Sequence, residues 1–208
     1  MRLKKIIEVS DEPVDVEDVK TDLALSGDLD NDLIAHYITT SRRYVENYTK
    51  TSILKQQLQA SFSTSELTPA AEALRKVYYN FSYDTESFYN YMANPTYSDR
   101  FTLPRPPVQE IDSASWVDEN GLTTPLIAGK DYRVFDDVLI LIEPLSGSTV
   151  GAYVITYTAG YESVDDVPAE MLTAIRLMAT AHYENREGLN IPPGFREILA
   201  PYRRGRLL

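Results

Sequence analysis

NDLIAHYITTSRRYVENYTKTSI, residues 31–53, contains the change of pattern that decides the fold. Up to Tyr48 the apolar residues recur every three or four positions, which predicts an amphipathic helix over Asp32–Tyr48 with Asp30 as its N-cap. From Ser52 to Ser63 the pattern instead indicates a β-strand. The sequence therefore predicts a chain in which helical and strand patterns follow one another, an α+β protein.

Two further helices are predicted on either side of the strand-rich part. A short apolar stripe over Val16–Leu25 follows a potential cap at Asp15. Later, Pro168–Glu187 begins with proline after two aspartates, a combination that the helix dipole and the fixed φ of proline favour. We expect these helices and Asp32–Tyr48 to pack as a small bundle.

The middle of the chain, about Ser52–Thr158, has short strand patterns separated by tight turns. Asn120-Gly121 and Asp136-Asp137 mark two reversals, and residues 138–142 (VLILI) suggest a central strand buried on both faces. Residues 150–158 supply a closing strand. Short strands with local turns predict an inserted antiparallel sheet lobe or small barrel.

The predicted architecture is therefore a small helical bundle with an inserted antiparallel β-rich lobe and an extended C-terminal arm. Its predicted parts are N-terminal helices over 1–51, the β-rich lobe over 52–160, a bundle helix over 161–190 and the arm over 191–208.

Residues 64–100 form a tyrosine-rich excursion within the lobe. A possible helix, Ala70–Tyr79, opens it, and aromatic residues then alternate with Ser, Asn and Asp. Tyrosine offers contact area and a hydrogen bond at low entropic cost, so Tyr83, Tyr89 and Tyr91 are candidates for accessory contacts with another molecule. The alternative is that these rings pack the excursion onto the protein's own core.

Composition excludes several classes of function. The formal net charge of −11 argues against an ordinary nucleic-acid binder, and the absence of cysteine excludes disulfide scaffolds and thiol catalysis. No apolar run is long enough to span a bilayer, so no membrane association is expected. The two histidines, His36 and His182, lie on different predicted helices without partners for catalysis. We expect no catalytic residue, no cofactor and no metal.

Several segments occur in an order that is similar to that of one family. They are VEDVKTDLAL (16–25), residues 31–53, LPRPPV (103–108), YTAGY (157–161), VPAEMLTAIRLMATAHYENRE (167–187) and LAPYRR (199–204). Together they resemble the head–tail connector (adaptor) proteins of tailed bacteriophages. The resemblance covers nearly the whole chain except 64–100, where family members have a much shorter link.

The resemblance implies a non-enzymatic structural subunit of a virion. The resemblance implies a homo-oligomeric ring of twelve subunits. It also implies that the ring is assembled in the host cytoplasm and lies at the head–tail interface of the virion. The ring would contact the portal protein on one side and a stopper or tail protein on the other. Packaged DNA would pass through its channel without specific binding, including during genome ejection.

Two groups of residues are the predicted contact sites. The arm 191–208 should dock onto the portal through an apolar face and a basic end: Phe195, Ile198, Leu199, Tyr202, Arg203, Arg204 and Arg206. A tail folded back on its own acidic body is the rival interpretation. Ring contacts should include Arg42, Arg43 and Arg176, with Arg176 paired to N-terminal acids of the adjacent subunit.

Two other functions remain open from the sequence. A stopper or tail-completion protein would belong to the same assembly, but those proteins are mostly β. A carbohydrate- or protein-binding module would instead use the tyrosine-rich excursion.

Overall fold

The computed structural model describes residues 1–7, 11–63, 100–142, 151–186 and 191–204. The chain divides into two compact units. One, the sheet unit, comprises Met1–Ile6, Gln57–Pro104 and Val108–Thr158; the other, the helical unit, comprises Ile7–Gln56, Arg105–Pro107 and Ala159–Leu208. The predicted α+β class is confirmed.

The helical unit contains the three predicted helices and one short additional helix. They are α1 (Val16–Asp22), α2 (Asn31–Thr49), α3 (Ala169–Glu184) and α4 (Phe195–Leu199). Two 3₁₀ turns, Val164–Asp166 and Ala200–Tyr202, precede α3 and follow α4. In the first turn Ser163 and Asp166 form a capping box, which gives Asp166 a structural role before the helix.

Helix α1 ends three residues before the predicted boundary at Leu25. Ala24 has a φ of 52°, and the Leu25 N–H donates to the carbonyl of Lys20 rather than continuing the helical ladder. Helix α2 ends where Lys50 takes a left-handed conformation with a φ of 64°. These local reversals set both ends, and apolar periodicity alone does not encode them.

The core of the helical unit forms where α2, α3 and α4 pack together. Its buried aliphatic and aromatic members include Ile34, Ile38, Val45, Ile53, Met171, Ile175, Met178, Phe195 and Leu199. Buried residues recur along α2 and α3 at the predicted helical spacing.

The strands form two sheets. In chain order they are β1 (Arg2–Ile7), β2 (Gln56–Ser63), β3 (Arg100–Thr102), β4 (Val108–Asp118), β5 (Thr123–Pro125), β6 (Tyr132–Phe135), β7 (Val138–Leu141) and β8 (Gly151–Ala159). One sheet has the order β1-β2-β8-β4-β5, and the other has the order β3-β7-β6. The pairs β4–β5, β6–β7 and β3–β7 are antiparallel.

Both predicted reversals are present. The β4–β5 hairpin turns at Asn120-Gly121, although the Asp118 N–H donates to the Leu122 carbonyl and makes the loop three residues long. The β6–β7 hairpin turns at Asp136-Asp137. Strand β7 is central as predicted, but only Leu139 and Leu141 are fully buried, and the alternate residues Val138 and Ile140 are partly exposed. Strand β1 was not predicted.

Aromatic rings fill the interior of the sheet unit. Tyr153 on β8 contacts Phe101 and Trp116, at ring-centroid distances of 5.2 and 4.7 Å, and Phe62 on β2 contacts Phe101. Gly151 is required beside them, since a Cβ there would lie 2.3 Å from the Trp116 ring.

Gly160, in the YTAGY segment, is required in the helical unit. Its φ of +116° is one that residues with a side chain rarely adopt, and a Cβ would lie 2.2 Å from the Leu54 carbonyl oxygen. The Gly160 N–H donates to the carbonyl of Pro107. The motif therefore brings the backbone after β8 into close contact with the segment before β2.

Part of the predicted excursion lies outside the described residues. This applies to 64–99, and therefore to the possible helix Ala70–Tyr79 and to the accessory candidates Tyr83, Tyr89 and Tyr91.

Candidate assembly surfaces

Arg42, predicted to contact a neighbouring subunit, is buried in its own. Its side chain is 1% exposed; Nε lies 2.7 Å from Glu12 Oε2, and Nη1 lies 3.4 Å from Glu46 Oε2. Glu46 is also buried, and its other oxygen accepts from the Ile53 N–H and the Gln56 amide. The prediction for Arg42 is therefore corrected: its guanidinium pairs with Glu12 and Glu46, and its buried side chain cannot contact an adjacent subunit.

The LPRPPV segment is attached to this cluster. Nη1 of Arg105 lies 3.6 Å from Glu46 Oε2, and its Nη2 donates to Asn47. The Pro106 carbonyl accepts from the Ser52 N–H at 3.0 Å. Proline has no backbone N–H, so this segment can donate few hydrogen bonds from its backbone. The Arg105 side chain and the Pro106 carbonyl instead hold it against the end of α2.

Arg176 forms its ion pair within the chain. Its Nη2 lies 2.7 Å from Asp22 Oδ1, and its Nε donates to the other carboxylate oxygen, a two-point contact between α3 and α1. The pKa of Arg176 is raised chiefly by this hydrogen bond. The predicted partner was an N-terminal acid of the adjacent subunit, whereas here Arg176 pairs with Asp22 of its own chain. Arg43, the third ring candidate, is exposed on α2.

The apolar residues of the predicted docking arm belong to the protein's own core. Phe195 and Leu199 are fully buried, and the Phe195 ring meets Tyr44 and Tyr48 edge-on at 5.5 and 6.1 Å. Ile198 is half-buried. The predicted arm is thus corrected over 191–204. The chain does change direction at Pro192-Pro193-Gly194, but it then folds back onto the core of the helical unit instead of extending away.

The residues after α4 are also held to the helical unit. The Tyr202 hydroxyl donates to Glu170 at 2.7 Å, the Arg203 guanidinium lies over the Tyr48 ring at 5.4 Å, and the Arg204 N–H donates to the Thr49 carbonyl. The arginine side chains remain exposed. Of the predicted contact set, Arg206 lies outside the described residues.

The two histidines approach one aromatic ring. His182 stacks on Tyr37 with a centroid distance of 5.5 Å and an interplanar angle of 9°, and His36 lies 6.1 Å from the same ring. Burial, followed by the nearby His36, lowers the pKa of His182. His182 is therefore packed against an aromatic ring of α2.

A surface that sequence reasoning missed is β1. Every residue of this edge strand is exposed, including Leu3, Ile6 and Ile7. In the described part of the chain, no group of His, Asp or Glu side chains is arranged to hold a metal ion. None of the described helices is long and apolar enough to cross a membrane.

Two of the three predicted ring-contact arginines, Arg42 and Arg176, therefore form ion pairs within the chain. In a comparison with protein families, residues 13–99 match the family described as "Phage gp6-like head-tail connector protein". Over these residues the chain is similar to that connector family. The resemblance identified from the sequence is confirmed, and the matched range runs through 64–99, which that resemblance had left out.

Solved structures have a similar fold over the whole length of the chain. A protein in the neck of an empty gene transfer agent particle, determined with C6 symmetry, is 17% identical with a TM-score of 0.69. A protein from the native gene transfer agent virion is 20% identical with a TM-score of 0.69, and one from the native neck with C12 symmetry is 19% identical with a TM-score of 0.68. Each match covers 100% of this chain and 98% of the other. These chains share the fold; no curated protein matches.

Proposed function

We propose that this chain is a structural head–tail connector subunit that forms a homo-oligomeric ring, dodecameric by analogy, at the head–tail interface of a phage-like particle. The observation that carries the proposal is the connector-family match of residues 13–99, together with a fold shared over the full length with particle-neck proteins. The ring would bind the portal on one side and a stopper or tail protein on the other.

Charge supports a channel that lets DNA pass. Each subunit has a formal net charge of −11, and a ring multiplies that value. A strongly negative assembly repels phosphate groups, whereas gripping a duplex requires an excess of Lys and Arg. Packaged DNA would therefore move through the ring without specific binding.

A non-enzymatic role is consistent with how the ionisable groups are used. Arg42, Glu46 and Arg176 form ion pairs within the helical unit, and the two histidines pack around Tyr37. Function then resides in surfaces rather than in a reaction centre.

For the portal contact we propose the basic end of the chain, starting at Arg203. The side chains of Arg203 and Arg204 are exposed, the Arg204 N–H donates to the carbonyl of Thr49 at the end of α2, and Arg206 follows in the sequence. Guanidinium groups held in place suit contacts with carboxylates or carbonyl oxygens of a partner. Ring contacts through Arg43 and accessory contacts through Tyr83, Tyr89 and Tyr91 remain part of the proposal.

A complementation experiment tests this function. Particles that lack the chain should accumulate as DNA-containing heads without tails, and the wild-type chain should restore tailed particles. The double variant Arg203→Glu, Arg204→Glu should fold and fail to restore them, whereas the control Arg196→Glu, on the exposed side of α4, should succeed. Tailed particles in the absence of the chain would overturn the connector role. Full rescue by the double variant would overturn the portal contact alone.

A further inference from the structure

Strand β1 combines positive charge with uncovered aliphatic side chains. Arg2, Lys4 and Lys5 are its cations, and residues 1–7 contain no acid. Leu3 is 36% exposed and Ile7 is 58% exposed, and alternation along the strand places them on the same face. An edge strand of this kind, in a chain of strongly negative total charge, offers a surface to an acidic partner with an apolar contact of its own.

A second surface has the complementary properties. Residues 26–30 and the first two residues of α2, together called the Leu29 loop, present a leucine side chain that is 102% exposed. Asp28, Asp30 and Asp32 lie on either side of it. The loop is therefore an acidic segment with one projecting apolar side chain.

The Leu29 loop is held in shape by contacts behind it. Lys20 Nζ lies 3.3 Å from Asp28 Oδ1, and the Asn31 amide donates to the same oxygen at 3.1 Å. The Tyr183 hydroxyl donates to Asp30 at 2.7 Å. Leu29 is thus presented by a fixed loop, and ordering it on binding costs little conformational entropy.

We propose that the Leu29 loop of one copy of this chain binds strand β1 of the next copy. The inference rests on the proposed ring and names the surfaces that form it. Leu29 would pack against the Leu3 and Ile7 side chains, with the flanking aspartates facing Lys5, which lies between those two residues on the same face of β1. Because the two surfaces differ, the contact is heterologous, and repetition closes into a ring when the rotation between copies fits.

Charge complementarity favours a second copy over another partner, because the chain itself contains both halves of the contact. The rival acidic surface is the turn around Val164. There, the apolar side chain of Val164 is only 38% exposed, against 102% for Leu29. The Leu29 loop therefore has more apolar surface to bury, and exposed ion pairs add little beyond faster association.

Cysteine cross-linking tests the proposal directly, since the natural chain has no cysteine. A Leu29→Cys chain and a Leu3→Cys chain that carries a different affinity tag are mixed at high concentration and oxidised. We expect disulfide-linked heterodimers, and longer ladders from the double variant. A Val164→Cys chain mixed with the Leu3→Cys chain is the matched control and should cross-link about tenfold less.

The outcomes separate this contact from the ring itself. The proposal would be overturned if the control pair cross-linked equally well. It would also be overturned if the double variant formed its disulfide only between the two cysteines of the same chain. Electron microscopy of the unmodified chain reports ring formation independently. Rings without the specific heterodimer would leave the connector role standing and remove this contact, whereas a chain that never self-associates would overturn both. Lys5→Glu, on the face of β1 that carries Leu3 and Ile7, should also reduce heterodimer yield, and combining it with Asp32→Lys in the partner chain should restore the yield.

Discussion

Glu12 and Arg42 are thirty residues apart in the chain and share two hydrogen bonds, of 2.7 and 3.1 Å. Through Arg42 the segment before α1 is connected to Glu46, and through Glu46 to Gln56 and Arg105. One guanidinium therefore connects the N-terminal segment to a network that also holds the proline-rich linker.

Removing this guanidinium should destabilise the helical unit strongly. Arg42→Ala leaves Glu46 buried with a weaker set of partners, and the expected loss of unfolding free energy is about 3–5 kcal/mol. Arg43→Ala, one residue along the exposed side of α2, should change it by about 0.5 kcal/mol or less. Urea unfolding followed by circular dichroism measures both. Equal effects of the two substitutions would contradict the internal role of Arg42.

Phe195 should behave as a core residue. Phe195→Ala removes a fully buried ring from between Tyr44 and Tyr48 and should cost about 3–5 kcal/mol. Arg196→Ala, which removes the neighbouring exposed side chain, should lower the free energy of unfolding by about 0.5 kcal/mol or less. Truncation after Gly188 should consequently unfold the helical unit. A truncated chain with the wild-type melting temperature would restore the extended-arm interpretation.

Two glycines with positive φ should respond very differently to alanine. At Gly160 the new Cβ would meet the Leu54 backbone, and the expected cost is about 3 kcal/mol or more. At Gly121 a Cβ would have nothing within 4 Å, so only the backbone strain of about 1–2 kcal/mol remains. Thermal unfolding of the two variants compares them, and a smaller loss at Gly160 than at Gly121 would refute the close approach.

The stability of the chain should depend on pH through His182. Burial holds its folded-state pKa below the ordinary 6.5, so the unfolded chain takes up a proton first as pH falls. The contribution of the neutral ring is therefore complete above about pH 6.5 and is lost as pH falls through the folded value. His182→Gln should flatten the change in unfolding free energy between about pH 7.5 and pH 5.5. The control variant His36→Gln should retain most of this pH dependence, because His36 is a smaller cause than burial of the lowered pKa of His182.

The Arg176–Asp22 pair should contribute little and should act within one subunit. Both side chains are about one-third exposed, so a double-mutant cycle should give about 0–1 kcal/mol. Arg176→Glu combined with Asp22→Lys in the same chain should recover the coupling. Recovery on mixing the two single variants would instead place the pair between subunits.

Periodicity made the long helices and the alternating strands predictable, because burial on one face imposes spacing along the sequence. Helix α2 and strand β8 are examples. Strand β1 escaped prediction because all of its residues are exposed in this chain, so no alternation of polar and apolar residues marks it.

The errors at candidate contact residues have physical causes that the sequence partly signals. Arg42 lies four residues after Ile38 and three before Val45, on the buried face of α2, and Glu46 follows at the spacing of an ion pair. Phe195 and Leu199 likewise have the four-residue spacing of a packed face. The double proline shows that the chain turns, but not towards which surface.

The order of the segments has a consequence for biosynthesis. The helical unit takes residues 7–56 from the beginning of the sequence and 159–208 from its end, with most of the sheet unit between them. While a ribosome makes the intervening residues, the apolar side of α2 has no α3 or α4 to cover it, since Met171, Ile175 and Phe195 do not yet exist. A nascent chain interrupted before residue 195 cannot complete this core. Incomplete products would then expose apolar surface to chaperones and proteases and be removed before they could enter an assembly.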